Sequence, residues 1–150
     1  MTEPANKPTH SKAGRLLNNP RKHALLDLLG IQRVVPEPGW DSQTEMVIDE
    51  RHINPNGAAH GGAAFALMDA CMAGAMRRRS DPDEFPSTIE SKINYIKAAR
   101  PGTVLLSSSR VAHKGSRISV VEAEVRDQQG DLVAKGQATF TTLKAKKPQS

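Results

Sequence analysis

Aromatic side chains are scarce in this chain of 150 residues, which has three Phe, one Trp and one Tyr. A hydrophobic core must therefore be built from Ala, Val, Ile, Leu and Met. The chain also lacks the aromatic motifs with which RNA-binding domains stack bases, and it shows no helix-turn-helix pattern. These absences argue against a nucleic-acid-binding protein, although the net charge of +5 would suggest one by itself.

Cysteine is nearly absent as well. Cys71 stands alone, so no internal disulfide can form, which fits a reducing compartment. The longest apolar run, residues 61–76, is shorter than the roughly 20 residues of a membrane-spanning helix and contains Asp69. The first residues include no apolar segment of the kind that directs secretion. We therefore expect a cytoplasmic protein without a membrane segment.

Several catalytic signatures are missing too. The five histidines show no paired helical spacing and no cysteine cluster accompanies them, so we expect no metal site. The chain contains neither a G-x-S-x-G elbow nor a phosphate-binding P-loop. We expect no metal or redox cofactor.

The positive charge has two explanations that the sequence leaves open. Many basic residues lie near the two ends, where they would only aid solubility. A basic domain also suits a small ligand rich in phosphate.

The chain is predicted to be one domain with two polar ends. Residues 1–18 are expected to form a flexible tail, residues 19–143 a single domain, and residues 144–150 a basic C-terminal tail. The pair Asn19-Pro20 predicts the start of a short amphipathic helix, and Gly30 predicts its end.

A long helix and several strands follow. Residues 40–48 alternate in polarity, which predicts a strand, and residues 61–79 predict an apolar helix ending in three arginines. Four more strands are predicted as a consecutive meander, at residues 88–96, 103–113, 117–126 and 132–143. Because a helix that is apolar on all sides must be enclosed, we expect an α+β fold in which an antiparallel sheet wraps around this long central helix.

Asp69 is the one charged residue within the apolar run. A buried carboxylate without a partner is costly, so it either reaches solvent or has a task. Gly61 and Gly62 mark the start of the same helix, where the first N–H groups lack intrahelical partners and about half a positive charge accumulates. Since glycine lets a ligand approach the backbone closely, the Gly61 N–H is a candidate for polarising a carbonyl oxygen.

The spacing around these residues resembles a known family of enzymes. Asn54 is followed three residues later by Gly57, then by the run His60-Gly61-Gly62, and Asp69 lies seven residues beyond the second glycine. This pattern is similar to the motif of hotdog-fold acyl-CoA thioesterases of the phenylacetate-pathway type. The later segments 88–102 and 117–143 resemble the strand after the helix and the last two strands of that family. The resemblance covers roughly residues 40–143.

The resemblance implies a hotdog fold and hydrolysis of a short-chain, medium-chain or aryl acyl-CoA to the free acid and CoA. The catalytic residues carried over by position are Asp69, Gly61, Asn54, His60 and Thr88. Asp69 would attack the thioester directly or act as general base on a water, and the sequence leaves both open.

The other catalytic residues have supporting roles in this interpretation. The Gly61 N–H would hold the carbonyl oxygen, and Asn54 would orient the attacking water. His60 would steady the loop or contact the thioester, and Thr88 would position Asp69 or the water. Glu90, two residues after Thr88, is expected on the same face of its strand as a second acidic group.

Helical rise separates Gly61 from Asp69 by about 12 Å, which is too far for both to contact one thioester comfortably. A two-fold dimer removes the difficulty. The resemblance implies that Asn54 and Gly61 come from one subunit and that Asp69 and Thr88 come from the other. The expected assembly is a homodimer, paired into a tetramer in relatives.

Further residues are candidates for binding the substrate. Gly62, Phe65, Met68 and Met72 are expected along the acyl group, although the two methionines suit the core equally well. The turn Lys114-Gly115-Ser116-Arg117 is our first choice for the phosphates of CoA, because a glycine turn flanked by cations suits a phosphate.

Plain structural explanations remain open for the same residues. Asp69 would then simply reach solvent at a gap in the sheet, Asn54 would only shape a turn, and His60 would only begin the helix. Thr88 would be an ordinary strand residue. The alternative to an enzyme is a non-catalytic protein that binds or senses acyl-CoA on the same fold.

Overall fold

The computed structural model describes residues 23–144. Its elements are α1 (Ala24–Leu29), β1 (Gln32–Val34), β2 (Ser42–Val47), a short 3-10 helix (Glu50–His52), α2 (Gly61–Arg78), β3 (Glu84–Tyr95), β4 (Val104–Lys114), β5 (Ile118–Asp127) and β6 (Leu132–Lys144). The tail expected at residues 1–18, the helix start at Asn19-Pro20 and residues 145–150 lie outside the described residues, so those predictions stay open. The predicted end of the short helix is confirmed, since Gly30 caps α1 with a positive φ of 67°.

The six strands form one antiparallel sheet in the order β1-β2-β4-β5-β6-β3. The predicted α+β class, with an antiparallel sheet against one long helix, is confirmed. The predicted four-strand meander is wrong in one respect. Strands β4, β5 and β6 are consecutive neighbours, but β3 pairs with β6 at the far edge instead of with β4. Local alternation of polarity identifies a strand but does not identify its neighbour.

The core lies between α2 and one face of the sheet. Strand β5, predicted at residues 117–126, alternates regularly, with Val121, Ala123 and Val125 on its buried side. Helix α2 contributes fully buried Leu67 and three buried methionines, and Phe140 of β6 is the largest fully buried side chain. Since the chain has few aromatic residues, small and flexible aliphatic side chains fill this core.

Helix α2 has two different faces. The closed face, which includes Leu67, Cys71 and Gly74, packs against β2 and β4. The open face, formed by Gly62, Ala66, Asp69 and Ala73, is only partly covered. These positions recur at helical spacing, so they form one stripe along the helix. The sheet therefore does not enclose the helix on every side.

Strand β3 contains a β-bulge. Thr88 pairs with Phe140, and Glu90 pairs with Thr139, so Ile89 is the extra residue. Because Phe140 and Thr139 are adjacent, they face opposite sides of the sheet, and so do Thr88 and Glu90. The expectation that Glu90 shares the face of Thr88 is wrong, because the bulge shifts the strand by one residue. Thr139 donates a hydrogen bond to Glu90 on that other face, at 3.1 Å.

Candidate active site

His60 caps the N-terminus of α2. Its Nδ1 accepts a hydrogen bond from the Gly62 N–H at 2.9 Å, and its backbone oxygen accepts from the Ala63 N–H at 2.9 Å. Of the first three N–H groups of the helix, only that of Gly61 has no acceptor among the described residues. The cap thus leaves one donor at the positive end of the helix for a ligand oxygen.

Tyr95 holds the backbone carbonyl group of Gly61, the residue that carries this free N–H. Its hydroxyl donates to the Gly61 backbone oxygen at 2.8 Å. Burial raises the pKa of the Tyr95 hydroxyl, so this group stays protonated at neutral pH and remains a donor. A Cβ atom at Gly61 would lie 2.9 Å from the ring and from the hydroxyl, so a side chain at this position would displace Tyr95.

Asn54 shapes the loop that leads to the helix. Its Oδ1 accepts from the backbone N–H of Asn56 at 2.9 Å and of Ala58 at 3.3 Å, and Gly57 has the positive φ of 72° that such a turn favours. Of the two polar atoms in the Asn54 side chain, the turn uses only the oxygen. No described residue accepts from its Nδ2, which is therefore free to donate to a ligand.

Asn54 and Gly61 line the same cavity. We call it the N-terminal cavity; it has a volume of about 340 Å³, and its other walls include Ala64, Tyr95, Leu105 and Val133. The predicted pair of a backbone donor and a side-chain amide is thus brought together within one chain. Lys97 also lines this cavity, but its ammonium is held by Asp127 at 2.7 Å and Asp131 at 2.6 Å. That contact lowers the pKa of the Asp127 carboxyl and raises that of Lys97.

Asp69 lies elsewhere, on the open face of α2. Its Oδ1 accepts a hydrogen bond from the Thr88 hydroxyl over 3.4 Å, so the predicted contact between these two residues is present. Asp69 lines a separate cavity of about 520 Å³ between α1 and α2, which we call the Asp69 cavity. Its other walls are Ala66, Ala70 and Ala73 of α2, Arg33 of β1, and His23, Ala24, Leu25 and Leu26 in or next to α1.

The candidate acyl-binding residues divide between core and surface. Met68 and Met72 are fully buried in the core and line neither cavity, which corresponds to their alternative use as core residues and not to contact with the acyl group. Phe65 is partly buried, and Gly62 is exposed at the helix start.

The turn from Lys114 to Arg117 lies at the other end of α2 from Gly61. The Lys114 ammonium contacts the backbone oxygen of Arg79 and lies 3.5 Å from a Glu84 carboxylate oxygen. Ser116 and Arg117 are exposed. This turn and the N-terminal cavity are therefore not brought together within one chain.

Three residues near these cavities were missed by sequence reasoning. His52 is 1% exposed; it accepts from the Asp49 N–H at 3.0 Å, and its other ring nitrogen contacts the Leu29 oxygen at 2.8 Å, which ties α1 to the loop before α2. The spacing of Asp49 and His52, a capping box, was the available signal. Tyr95 and Arg33 carried no local signal, because only the folded chain places them beside α2.

No three potential metal ligands come together within residues 23–144. Within the same residues, no helix combines the length and apolar character needed to cross a membrane.

The described geometry is that of a sheet packed on a long helix with a free N–H at its start and a carboxylate two turns further on. Residues 56–134 match the family model described as the Thioesterase superfamily, which is more than half of the chain. The chain therefore belongs to the thioesterase superfamily, and the predicted hotdog family and enzyme class are confirmed.

Individual relatives agree with this family. The putative esterase ComA2 of Bacillus subtilis is 31% identical over 124 residues, which cover 82% of this chain and 97% of the relative. The structure of the conserved protein PA5202 from Pseudomonas aeruginosa is 40% identical, covers 81% of this chain and 95% of its own, and superposes with a TM-score of 0.75. The BH2602 protein of Bacillus halodurans, solved with CoA, is 27% identical over 82% of this chain and 78% of its own, with a TM-score of 0.72.

Proposed function

We propose that the protein hydrolyses a short-chain, medium-chain or aryl acyl-CoA to the free acid and CoA. The observation that carries this proposal is the pairing of two groups on one helix, the Asp69 carboxylate beside Thr88 and the free N–H of Gly61. The choice of CoA is supported by the similar Bacillus halodurans protein that was solved with CoA. Cytoplasmic localisation stays a prediction.

The chemistry needs a group that delivers oxygen and a group that holds the developing negative charge. Asp69 either attacks the thioester carbonyl carbon itself or removes a proton from the water that attacks it. The C–S bond then breaks and the CoA sulfur takes up a proton. On the general-base route the water oxygen is already bonded to the acyl carbon, so the free acid forms directly. On the nucleophilic route the acyl group stays on Asp69 as a mixed anhydride, which a water hydrolyses to the free acid and the Asp69 carboxylate. The Gly61 N–H, assisted by the helix dipole, holds the carbonyl oxygen while that oxygen gains charge. Asn54 Nδ2 would orient the water or the carbonyl from the same cavity.

One chain does not bring these groups together, because Asp69 and Gly61 are about 12 Å apart along α2 and line different cavities. Strand β3 runs beside both of them. Thr88, near the start of the strand, contacts Asp69, and Tyr95, at its end, contacts Gly61. The two halves of the site therefore lie at the two ends of the same edge strand.

Antiparallel pairing of β3 with β3 of a second copy would join these halves. A two-fold axis near Ser91 and Lys92, midway between Thr88 and Tyr95, would place Asp69 of one copy opposite Gly61 of the other. The edge suits such pairing, since β3 has a neighbour on one side only in the described sheet. Ile89 and Tyr95 are each 55% exposed there, and Ile96 is 56% exposed. We propose a homodimer with two composite sites; a further pairing into a tetramer stays a prediction.

The same arrangement supports the candidate phosphate site. When two copies pair through antiparallel β3 strands, the C-terminal end of α2 in one copy lies near the N-terminal end of α2 in the other. The turn from Lys114 to Arg117, next to the C-terminal end, would then be near the N-terminal cavity of the second copy. The exposed Arg117 has no ion-pair partner among residues 23–144 and is the cation of this turn proposed for a CoA phosphate, since Lys114 already contacts Glu84.

Substitution of Asp69 by Asn tests the assignment. The variant keeps the size of the side chain but loses the carboxylate, so we expect kcat to fall by about 10²–10⁴-fold. The measurement is release of free CoA thiol from a panel of aliphatic and aryl acyl-CoAs. Asp83→Asn, an exposed change in the loop after α2, is the matched control and should hydrolyse like the wild type. Full activity in Asp69→Asn would remove Asp69 from the mechanism, and an inert wild type that still binds acyl-CoA would favour a binding protein.

Mixed dimers test whether the site is composite. Asp69→Asn and Asn54→Ala chains are purified separately with different tags and then co-refolded. If Asp69 and Asn54 act across the interface, a mixed dimer contains one site with both changes and one intact site, so activity should return. If both residues act within one chain, no intact site exists and mixing should restore nothing.

A further inference from the structure

The Asp69 cavity contains a cationic side chain within a mostly apolar lining, which thioester hydrolysis alone does not require. Three alanines of α2, Ala66, Ala70 and Ala73, leave space beside the carboxylate, and Leu25 and Leu26 of α1 form an apolar wall. The remaining wall includes the guanidinium-bearing residue Arg33. A role for this cavity in holding the acyl group rests on the proposed function, because it takes Asp69 as the group that meets the thioester.

Arg33 has no partner for its charge among residues 23–144. Its Nε is buried and has no hydrogen-bond partner within that range. The ion pairs of the same residues include other arginines, such as Arg51, Arg79, Arg110 and Arg126, but not Arg33. Partial burial of a guanidinium without a partner is costly. An anionic ligand group would relieve that cost.

The position of Arg33 is set by the sheet. Arg33 pairs with Thr44 across β1 and β2, and the Thr44 hydroxyl donates to the Leu67 backbone oxygen at 3.1 Å, two residues before Asp69 in α2. The side chain therefore projects from a strand that is fixed relative to the helix. Since Asp69 and Arg33 line the same cavity, a molecule that extends through it would meet both side chains.

We propose that the acyl group occupies the Asp69 cavity and that Arg33 binds a carboxylate at its far end. The preferred substrate is then the CoA monothioester of a dicarboxylic acid. Without Arg33, the Asp69 carboxylate would repel such an acyl group from this cavity. With Arg33, a planar guanidinium offers a two-pronged contact to the distal carboxylate while the methylene chain packs on Leu25, Leu26 and the alanines.

The test compares adipyl-CoA with hexanoyl-CoA, which have six-carbon acyl groups that differ in the terminal carboxylate. We expect wild-type kcat/KM to be higher for adipyl-CoA. Arg33→Gln should lower the ratio of the two kcat/KM values by about 10–100-fold, because it removes charge-assisted hydrogen bonds from the carboxylate. Arg33→Lys should give an intermediate ratio, since it keeps the charge but loses the planar fork. A ratio measured on one preparation does not depend on the fraction of folded enzyme.

Arg110→Gln is the matched control. Arg110 is an exposed arginine of β4 that contacts Glu122 at 3.3 Å, so its loss should leave the ratio unchanged. The inference is overturned if wild type hydrolyses both thioesters but Arg33→Gln does not change their ratio; the proposed function would then still stand. It is also overturned if the effect of Arg33 appears only between 4-hydroxybenzoyl-CoA and benzoyl-CoA, which would assign the residue to a hydroxyl group. Failure to hydrolyse any acyl-CoA would instead reject the proposed function.

Discussion

The polar groups on the two faces of α2 have different roles. On the closed face, Cys71 Sγ lies 3.3 Å from the backbone oxygen of Ser42 and 3.2 Å from the backbone oxygen of Ser107. The Ser109 hydroxyl donates to the backbone oxygen of Cys71 at 2.9 Å. Apart from the Ser107 hydroxyl, which has no partner among the described residues, this face uses its polar atoms to hold the helix on the sheet. On the open face and at its start, Asp69 and the Gly61 N–H have capacity left for a ligand.

The difference separates stability from activity on a single helix. Buried hydrogen bonds that are already made contribute to folding, and altering them changes stability. A donor or carboxylate that faces a cavity contributes little to folding but is available to a substrate. The same substitution should therefore have different consequences on the two faces, and two glycines of α2, Gly61 and Gly74, allow a direct comparison.

Of the changes at these two glycines, Gly61→Ala should have the larger effect, and that effect should be on activity. The new Cβ would lie 2.9 Å from the Tyr95 ring and hydroxyl, so either Tyr95 must move or the first turn of α2, which carries the free Gly61 N–H, must shift. Displacement of a catalytic group by about 1 Å can cost about 10²-fold, and we expect kcat/KM to fall by about that factor. Since Tyr95 is 55% exposed, the melting temperature should change little. Wild-type kcat/KM in this variant would show that the helix start does not contact the thioester.

Gly74→Ala should affect stability instead. A Cβ at this position would lie 2.5 Å from the Ser42 hydroxyl on the closed face. Overpacking costs about 1–3 kcal/mol, and the better helix propensity of alanine offsets about 1 kcal/mol of it. We expect a net loss of about 1 kcal/mol in the free energy of unfolding, measured by denaturant titration, with unchanged kcat/KM per folded enzyme.

A second change checks the cause of that loss. In a Ser42→Ala background the clashing hydroxyl is gone, so Gly74→Ala should become neutral or stabilising. If Gly74→Ala destabilises both backgrounds equally, the close contact with Ser42 does not explain the effect.

Sequence reasoning anticipates the parts of this fold that depend on local pattern. The long helix and the alternating strand β5 follow from periodicity, because apolar spacing differs between helix and strand. Strand β1 was missed, because its three residues are too few to show alternation. The position of β3 at the edge and the bulge after Thr88 were also missed, because pairing and register depend on residues far away in the chain.

The candidate site could also be predicted only in part from local sequence patterns. The spacing from Asn54 to Asp69 identifies the motif, but the choice of Gly61 over Gly62 as the free donor depends on which N–H His60 binds. Arg33 belongs to no motif and reaches the Asp69 cavity only through the pairing of β1 with β2. Residues that act through tertiary contacts alone leave no local signal in a single sequence.

Cys71 gives the smallest expected effect and probes the closed face directly. Burial raises the pKa of its thiol, and the thiolate is the reactive form, so iodoacetamide at about pH 8 should leave the native protein unmodified and label it once in denaturant. Because the chain has a single cysteine, all label reports this site. In Gly74→Ala, a loss of about 1 kcal/mol should raise the labelling rate about 5-fold if the helix must leave the sheet to expose the thiol. Rapid labelling of the native wild type would instead mean that the closed face opens without unfolding.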